Sequence, residues 1–427
     1  MKHRKLLLMS ALLVAGFGAT ILSVIVAGAE TLTCDPGNGG ITLPAGFCAV
    51  VAADNLGTAR HLAVAPNGDV YVALQSKPGG AVALRDANGD GKFEIKEPFA
   101  TGSVTGIAIR NGYVYLAKVN SVERYKMTPG QLKPAATPEI VVSGLEGERQ
   151  HGDKGIAFDG KGSLYVNVGA PSNACQSPDR TPKAKGQDPC PLLEKHGGIW
   201  KFDENKLGQK QDDGTRYATG LRQMLAITWH DDALYIGMNN RDQLDVFWPG
   251  SFTAQENAER PAESLFRAEQ GSNFGWPYCF FDYGQKKLLL NPEYGGDGKT
   301  AGRCATGFTP PVAAFPAHWA PVDVMFYTGT QFPAHYRNGA FIAFHGSWNR
   351  APMPQEGYNV TFQPFSGSKP SGNFEVFASG FPGKSPLMNP NDAVARADGV
   401  AQCPDGSLYI AESQKGRVWR VIYQGGK

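Results

Sequence analysis

"APNGDVYVA" at residues 65–73 decides the fold, because the same phrase returns five more times. The further copies are "IRNGYVYLA" (109–117), "FDGKGSLYVNVG" (158–169), "WHDDALYIGM" (229–238), "YRNGAFIAF" (336–344) and "CPDGSLYIAES" (403–413). Each is a turn, usually Asn-Gly or Asp-Gly, that runs into an alternating strand of small, aromatic and β-branched residues. Such turn residues tolerate the positive φ of a tight hairpin, and period-two alternation buries one face of the strand that follows. Six hairpin units predict an all-β chain, a six-bladed β-propeller with long loop insertions.

Composition agrees with that reading. The 53 Gly and 30 Pro suit a chain with many turns, and a repeat architecture can carry 427 residues around one axis. Lys and Arg total 41 against 39 Asp and Glu, with no basic block beyond the first five residues, so nucleic acid is not an expected partner. Successive turn glycines at 68, 112 and 162 lie 44 and 50 residues apart, but the next intervals widen to 70, 107 and 67. One four-stranded blade needs about 40 to 50 residues. The surplus falls in residues 171–196 and 252–318, and loops on a rigid scaffold are where binding sites tend to form.

"MKHRK" opens the chain, an uncharged apolar run fills residues 6–27, and "AGA" precedes Glu30. This pattern reads as an export signal over residues 1–29, ahead of the propeller at 30–427. Left uncleaved, a run of roughly 20 residues would instead anchor the chain in a membrane. Either outcome places the folded part outside the cytoplasm, periplasmic or extracellular, where the seven cysteines are disulfide material. Neighbour pairing predicts Cys34 with Cys48, Cys175 with Cys190 and Cys279 with Cys304, which leaves Cys403 free.

Charged residues recur beside the repeats. His151 precedes the third, in "HGDKGIAFD", and Arg222 precedes the fourth, in "GLRQM". Arg60 and Arg396 stand in corresponding places near the first and last, while His345 and Trp348 follow the fifth, in "FHGSWNR". Symmetry would gather them at one channel mouth as a cationic ring around a histidine. A neutral imidazole suits a general base, Arg binds carboxylates in bidentate geometry, and Trp can stack on a sugar or a flat cofactor. Separately, "DANGDGKFEIKE" (86–97) matches a calcium loop at Asp86, Asn88, Asp90, Gly91 and Glu97, or forms an acidic hairpin turn.

Taken together, "HGDKGIAFDGKGSLYVNVG", "GLRQMLAITWH", "NNRDQL", "GSNFGWPYC", "NPEYGGDG", "FYTG" and "FHGSWNR" resemble the soluble quinoprotein sugar dehydrogenases, in particular their sorbosone dehydrogenase-like branch. The resemblance spans roughly residues 55–423. It implies six blades, pyrroloquinoline quinone (PQQ) and Ca2+ at the channel mouth, a sugar or aldehyde substrate, and an external acceptor such as a quinone, cytochrome or dye. By the same resemblance His151 is the general base and Arg222 meets the charge developing on the quinone oxygen. Arg396 would hold a PQQ carboxylate, with Arg60, Gln223, His345 and Trp348 also about the cofactor. Backbone carbonyls in residues 239–242, Asn240 and Arg241 among them, would hold the ion.

Three positions depart from the glucose-type members, which carry Asn at Gln223, Lys at His345 and Arg at Asp398. Losing two cations weakens a site for a trianion unless Lys154 or Arg350 replaces them. Two other classes are carried forward: a calcium-dependent lactonase or esterase propeller, and a non-catalytic propeller that binds a glycan or protein partner through its insertions.

Overall fold

A computed structural model describes residues 32–76, 78–147 and 150–425. The segment read as an export signal lies outside them. Six antiparallel sheets of four principal strands make six blades. Blade 1 runs Ala59–Val64, Val70–Leu74, Gly80–Arg85 and Ile95–Phe99, and blade 2 runs Val104–Arg110, Tyr113–Lys118, Ser121–Lys126 and Glu139–Ser143. In blade 3 the order is Ile156–Phe158, Ser163–Val168, Gly198–Asp203 and Thr215–Thr219; in blade 4 it is Ile227–His230, Ala233–Met238, Glu263–Ala268 and Ala313–Phe315. Blade 5 follows with Pro321–Phe326, Ala340–His345, Tyr358–Gln363 and Glu375–Ala378. Ala397–Gln402, Leu408–Glu412 and Val418–Tyr423 begin blade 6, and the early strand Phe47–Ala53 completes it, pairing from Phe47 with Tyr423 to Ala53 with Val418. One sheet thus joins both ends of the described chain and closes the ring.

Each repeated phrase is the turn between a blade's first two strands. The second strand puts its aromatic residue, Tyr71, Tyr115, Tyr165, Tyr235, Phe341 or Tyr409, in a fully buried position. The core is accordingly a ring of wedges. Buried apolar clusters fill the gap between each blade and the next, all the way round, with two small satellites in the insertions. Burial of that kind contributes about 25 cal/mol per Å² of apolar surface, so the fold rests on blade-to-blade packing rather than on any single sheet.

All three expected disulfides are present, and Cys403 is free and buried. One expectation needs correction: residues 252–318 are not a single insertion, because Glu263–Ala268 and Ala313–Phe315 are the third and fourth strands of blade 4. Short helices at Leu244–Phe247 and Ala254–Glu259 precede the third strand, and a long excursion separates it from the fourth. Among the described residues no helix is long and apolar enough to cross a membrane.

In an antiparallel blade, the segment entering the first strand and the loop joining the second to the third lie at the same end. Residues 150–155, 169–197, 220–226, 239–262, 316–320 and 346–357 are therefore delivered to one face of the ring. The candidate site is built there.

Candidate active site

A cavity of about 320 Å³ opens on that face, lined by Gln150, His151, Arg180, Arg222, Gln223, Asn239, Asn240, Asp242, Glu263, His318, Ala320, Trp348 and Asn349. His151 stands at φ 56°, a left-handed conformation, with Gly169 against its main chain. A Cβ on Gly169 would lie 2.3 Å from the His151 carbonyl oxygen and 2.7 Å from its Cβ, so glycine is what lets these segments meet. The His151 Nδ1–H donates to the Ala170 carbonyl at 2.5 Å. Since a carbonyl only accepts, Nε2 carries the lone pair of the neutral ring. Burial, with the Arg222 guanidinium second, pushes the imidazole down to about 3. At neutral pH the His151 ring is therefore uncharged.

Arg222 is buried; its Nη1 donates to the Asn240 carbonyl at 2.8 Å and its Nη2 to Asp242 Oδ2 at 2.6 Å. Arg180 Nη2 reaches the same Oδ2 at 3.0 Å, and Asn349 Nδ2 donates to Oδ1 at 3.0 Å. Burial alone would raise the Asp242 carboxyl, but Arg222 and Arg180 outweigh it and hold the group below the usual carboxylate range. Glu263 accepts from the main-chain N–H groups of Asn240 at 2.9 Å and Ala320 at 3.2 Å, yet burial still raises it to about 8. His318 Nε2–H donates to the Asn257 carbonyl at 2.6 Å, and burial lowers that ring also. Trp348 is 52% exposed and forms a face at the mouth. Three buried acceptors in the lining have no donor among the described residues: Gln223 Oε1, Asn239 Oδ1 and Asn349 Oδ1.

The structure divides the single cationic ring that the repeat predicts into two groups. Arg60 is the second residue of its strand and Arg396 immediately precedes its own, whereas His151 and Arg222 stand five residues ahead of theirs. They therefore occupy different heights along the channel, and Arg60, His345 and Arg396 are absent from the cavity lining. Arg60 Nη1 instead bonds Asp398 Oδ2 at 2.7 Å, and its Nη2 lies 4.0 Å from Asp153 Oδ2. His345 Nε2–H donates to Ser413 Oγ at 2.8 Å, while Arg396 Nη1 faces His345 Nδ1 at 3.4 Å. This second group adjoins the cavity wall, since the His345 N–H donates to the carbonyl of Ala320, a lining residue.

The Arg241 side chain does not line the cavity; its fully buried guanidinium pairs with Glu293 and bonds Asn291 Oδ1 at 3.3 Å, which leaves untouched the expectation that its main-chain carbonyl meets an ion. Neither Lys154 nor Arg350 supplies a replacement cation, because Lys154 Nζ is bonded to the Gly152 carbonyl and Arg350 Nε and Nη1 to the carbonyls of Pro354 and Ala258. Arg180, carried by the 171–196 insertion that Cys175 and Cys190 close, does line the cavity. Its sequence context, "SPDRTPK", has no counterpart in another repeat and carries no signal of a site. In the acidic loop, Asp86 and Asp90 meet Glu94 within 4.8 Å, and Glu97 is left out because it lies on a strand opposite Ala83.

Residues 41–424 match the TrAA12-like family model, and the chain belongs to that family. It is 30% identical over 210 residues to an uncharacterised protein of Borreliella burgdorferi, covering 48% of each chain. It is 27% identical over 176 residues to the PQQ-dependent pyranose dehydrogenase of Coprinopsis cinerea, over 37% of this chain and 23% of that one. The matches thus span about half or less of these curated relatives. In fold it is similar to the holo PQQ domain of the Coprinopsis cinerea enzyme, with a TM-score of 0.71 at 18% identity over 90% of this chain and 97% of that one. It is likewise similar to a calcium structure of the Trichoderma reesei family AA12 enzyme, with a TM-score of 0.73 at 19% identity over 93% and 99%.

Proposed function

We propose that this chain is an exported quinoprotein dehydrogenase that oxidises a sugar or sugar-derived aldehyde, of aldose or sorbosone type, with PQQ and Ca2+ as cofactors and an external electron acceptor. The observation that carries the reading is a neutral His151 with an open Nε2, sharing one cavity with two arginines. The side chains suit an anionic cofactor joined to a divalent cation. Arg180 and Arg222 provide fixed positive charge, and the three unpartnered oxygens of Gln223, Asn239 and Asn349 are the acceptors a hard cation seeks. The PQQ dependence of the Coprinopsis pyranose dehydrogenase supports that choice.

Bound PQQ would supply the hydride acceptor and bound calcium the Lewis acid. The protein's own part is acid–base and electrostatic. His151 Nε2 takes the substrate hydroxyl proton, and its Nδ1–H bond to Ala170 holds the ring in place as charge develops on it. Arg222, preset by Asp242 and the Asn240 carbonyl, stabilises negative charge arising in the cavity without reorganising. Trp348 offers an apolar face to a sugar at the mouth. Three disulfides support assembly in an oxidising compartment.

A hydrolytic lactonase is less well supported, because the lining holds two acids, of which Glu263 is raised to about 8 by burial and Asp242 is already paired with Arg222 and Arg180, so no set of ionised carboxylates converges on a metal. The test is reconstitution of the purified chain with PQQ and Ca2+, followed by dye reduction with a panel of aldoses and sorbosone. A bound-cofactor absorbance change and reduction with at least one sugar are expected. The absence of both cofactor uptake and reduction with any sugar overturns the reading. His151→Ala is expected to abolish reduction with PQQ still bound, and unchanged turnover would place the base elsewhere.

A further inference from the structure

A larger cavity, about 790 Å³, lies between blade 5 and the segment 379–387 that leads towards blade 6. Three of its lining residues each hold a buried polar atom with no hydrogen-bond partner among the described residues: Trp319 Nε1, Gln355 Nε2 and Asn359 Oδ1. These residues are 9%, 5% and 7% exposed. An unsatisfied buried donor or acceptor costs about 1–3 kcal/mol, so three around one cavity call for a ligand that meets them. The orientation of Gln355 is set by its other end, where Oε1 accepts from Ser347 Oγ at 2.8 Å. Trp319 is set by close packing: Gly357 passes it at φ +85°, and a Cβ there would lie 2.5 Å from Trp319 Cα.

The chemistry of the lining names the ligand class. Two N–H donors and one carbonyl acceptor suit hydroxyl groups, which accept from the first and donate to the second. Trp319 and Tyr358 are themselves buried, and the apolar surface that the cavity offers to the C–H faces of a sugar ring comes from the exposed Pro354, Val376 and Pro386. Opposite charges, Lys384 and Glu356, both line the cavity, so no net charge selects an ion. None of the three unpartnered residues lines the His151 cavity. We propose that this second cavity is a carbohydrate subsite that takes a neutral oligosaccharide, separate from the candidate active site.

The experiment uses the full chain labelled with 15N-tryptophan and titrated with cellotriose and, separately, maltotriose. Its seven tryptophans give seven indole N–H signals. Trp319→Phe and Trp348→Phe assign one to each cavity, and contacts of Trp319 with the Phe344 and Phe374 rings give an assignment that needs no variant. The Trp319 signal is expected to shift saturably with at least one trisaccharide. Gln355→Glu, which keeps the acceptor for Ser347 and deletes the donor, and Asn359→Leu are each expected to weaken binding about tenfold. A Trp319 signal that neither sugar moves, or binding unchanged in both variants, overturns the proposal. Movement of the Trp348 signal alone also overturns it while leaving the dehydrogenase reading intact; a Trp319 shift without dye reduction does the reverse.

Discussion

His151 and Ala170 are joined by an Nδ1–H···O=C bond of 2.5 Å, and this one contact sets both the tautomer and the direction of the proposed base. The carbonyl claims the ring's only proton, so Nε2 is left to take another. Burial and Arg222 then keep the ring neutral. In the cofactor-free protein the His151 ring should show no titration between about pH 5 and pH 8, since its folded value is pushed to about 3. Histidine 15N and 13C shifts against pH provide the check; a midpoint near 6.5 would mean a hydrated, unperturbed ring.

Gly169→Ala should displace that base. The added methyl meets the His151 main chain at 2.3 Å, and overpacking of this kind costs typically about 1–3 kcal/mol. Dye-reduction kcat is expected to fall by about tenfold or more, because a shift of about 1 Å at a reacting group is that expensive. Urea denaturation and steady-state kinetics on the reconstituted variant would measure both effects, and wild-type kcat would refute the role of this close approach.

Arg180 and Arg222 share Asp242 Oδ2, at 3.0 and 2.6 Å. Arg180→Met removes a charged hydrogen bond to a buried carboxylate, at a cost of about 1–3 kcal/mol in urea denaturation. It should also weaken PQQ uptake about tenfold, read by absorbance titration, with a shallower salt dependence than wild type. Opening the 175–190 loop with Cys175→Ser and Cys190→Ser should weaken uptake in the same direction, because that loop carries Arg180. Unaltered uptake in both would remove Arg180 from the cofactor site.

Asp398 provides a pH signature. Burial, only partly offset by Arg60 and His61, raises its carboxyl to about 6, against 3.8 in the unfolded chain. Between about pH 4 and pH 6 the folded state therefore keeps a proton that the unfolded state releases, so this group's contribution to stability falls as pH rises through that window and then levels off. At about 1.4 kcal/mol per pH unit, the loss over the window is about 3 kcal/mol. Asp398→Asn should flatten the slope there. Denaturation midpoints at several pH values test it through the slope, which loss of the Arg60 ion pair does not itself change; an identical slope in the variant would refute it.

The repeat was legible along the chain because hairpin chemistry is local: turn residues and alternation lie within about ten positions of one another. Six blades followed from that periodicity, the three disulfide pairs from joining each cysteine to its neighbour along the chain, and the placement of His151, Arg222, Gln223, Asn240 and Trp348 near one another from the repeat positions and the family resemblance. The height of each residue along the channel was not legible. Repeat spacing shows which blade a side chain belongs to, but bulges and loop lengths decide how far ahead of the strand it stands. Arg60 and Arg396 therefore form their own group with His345 and Asp398. Arg180, His318, Asp242 and Glu263 enter the cavity from insertions, segment ends and a blade strand that sequence reading had placed in a loop. No repeat marks those positions, and only the packing of neighbouring blades and their loops brings them into one cavity with His151.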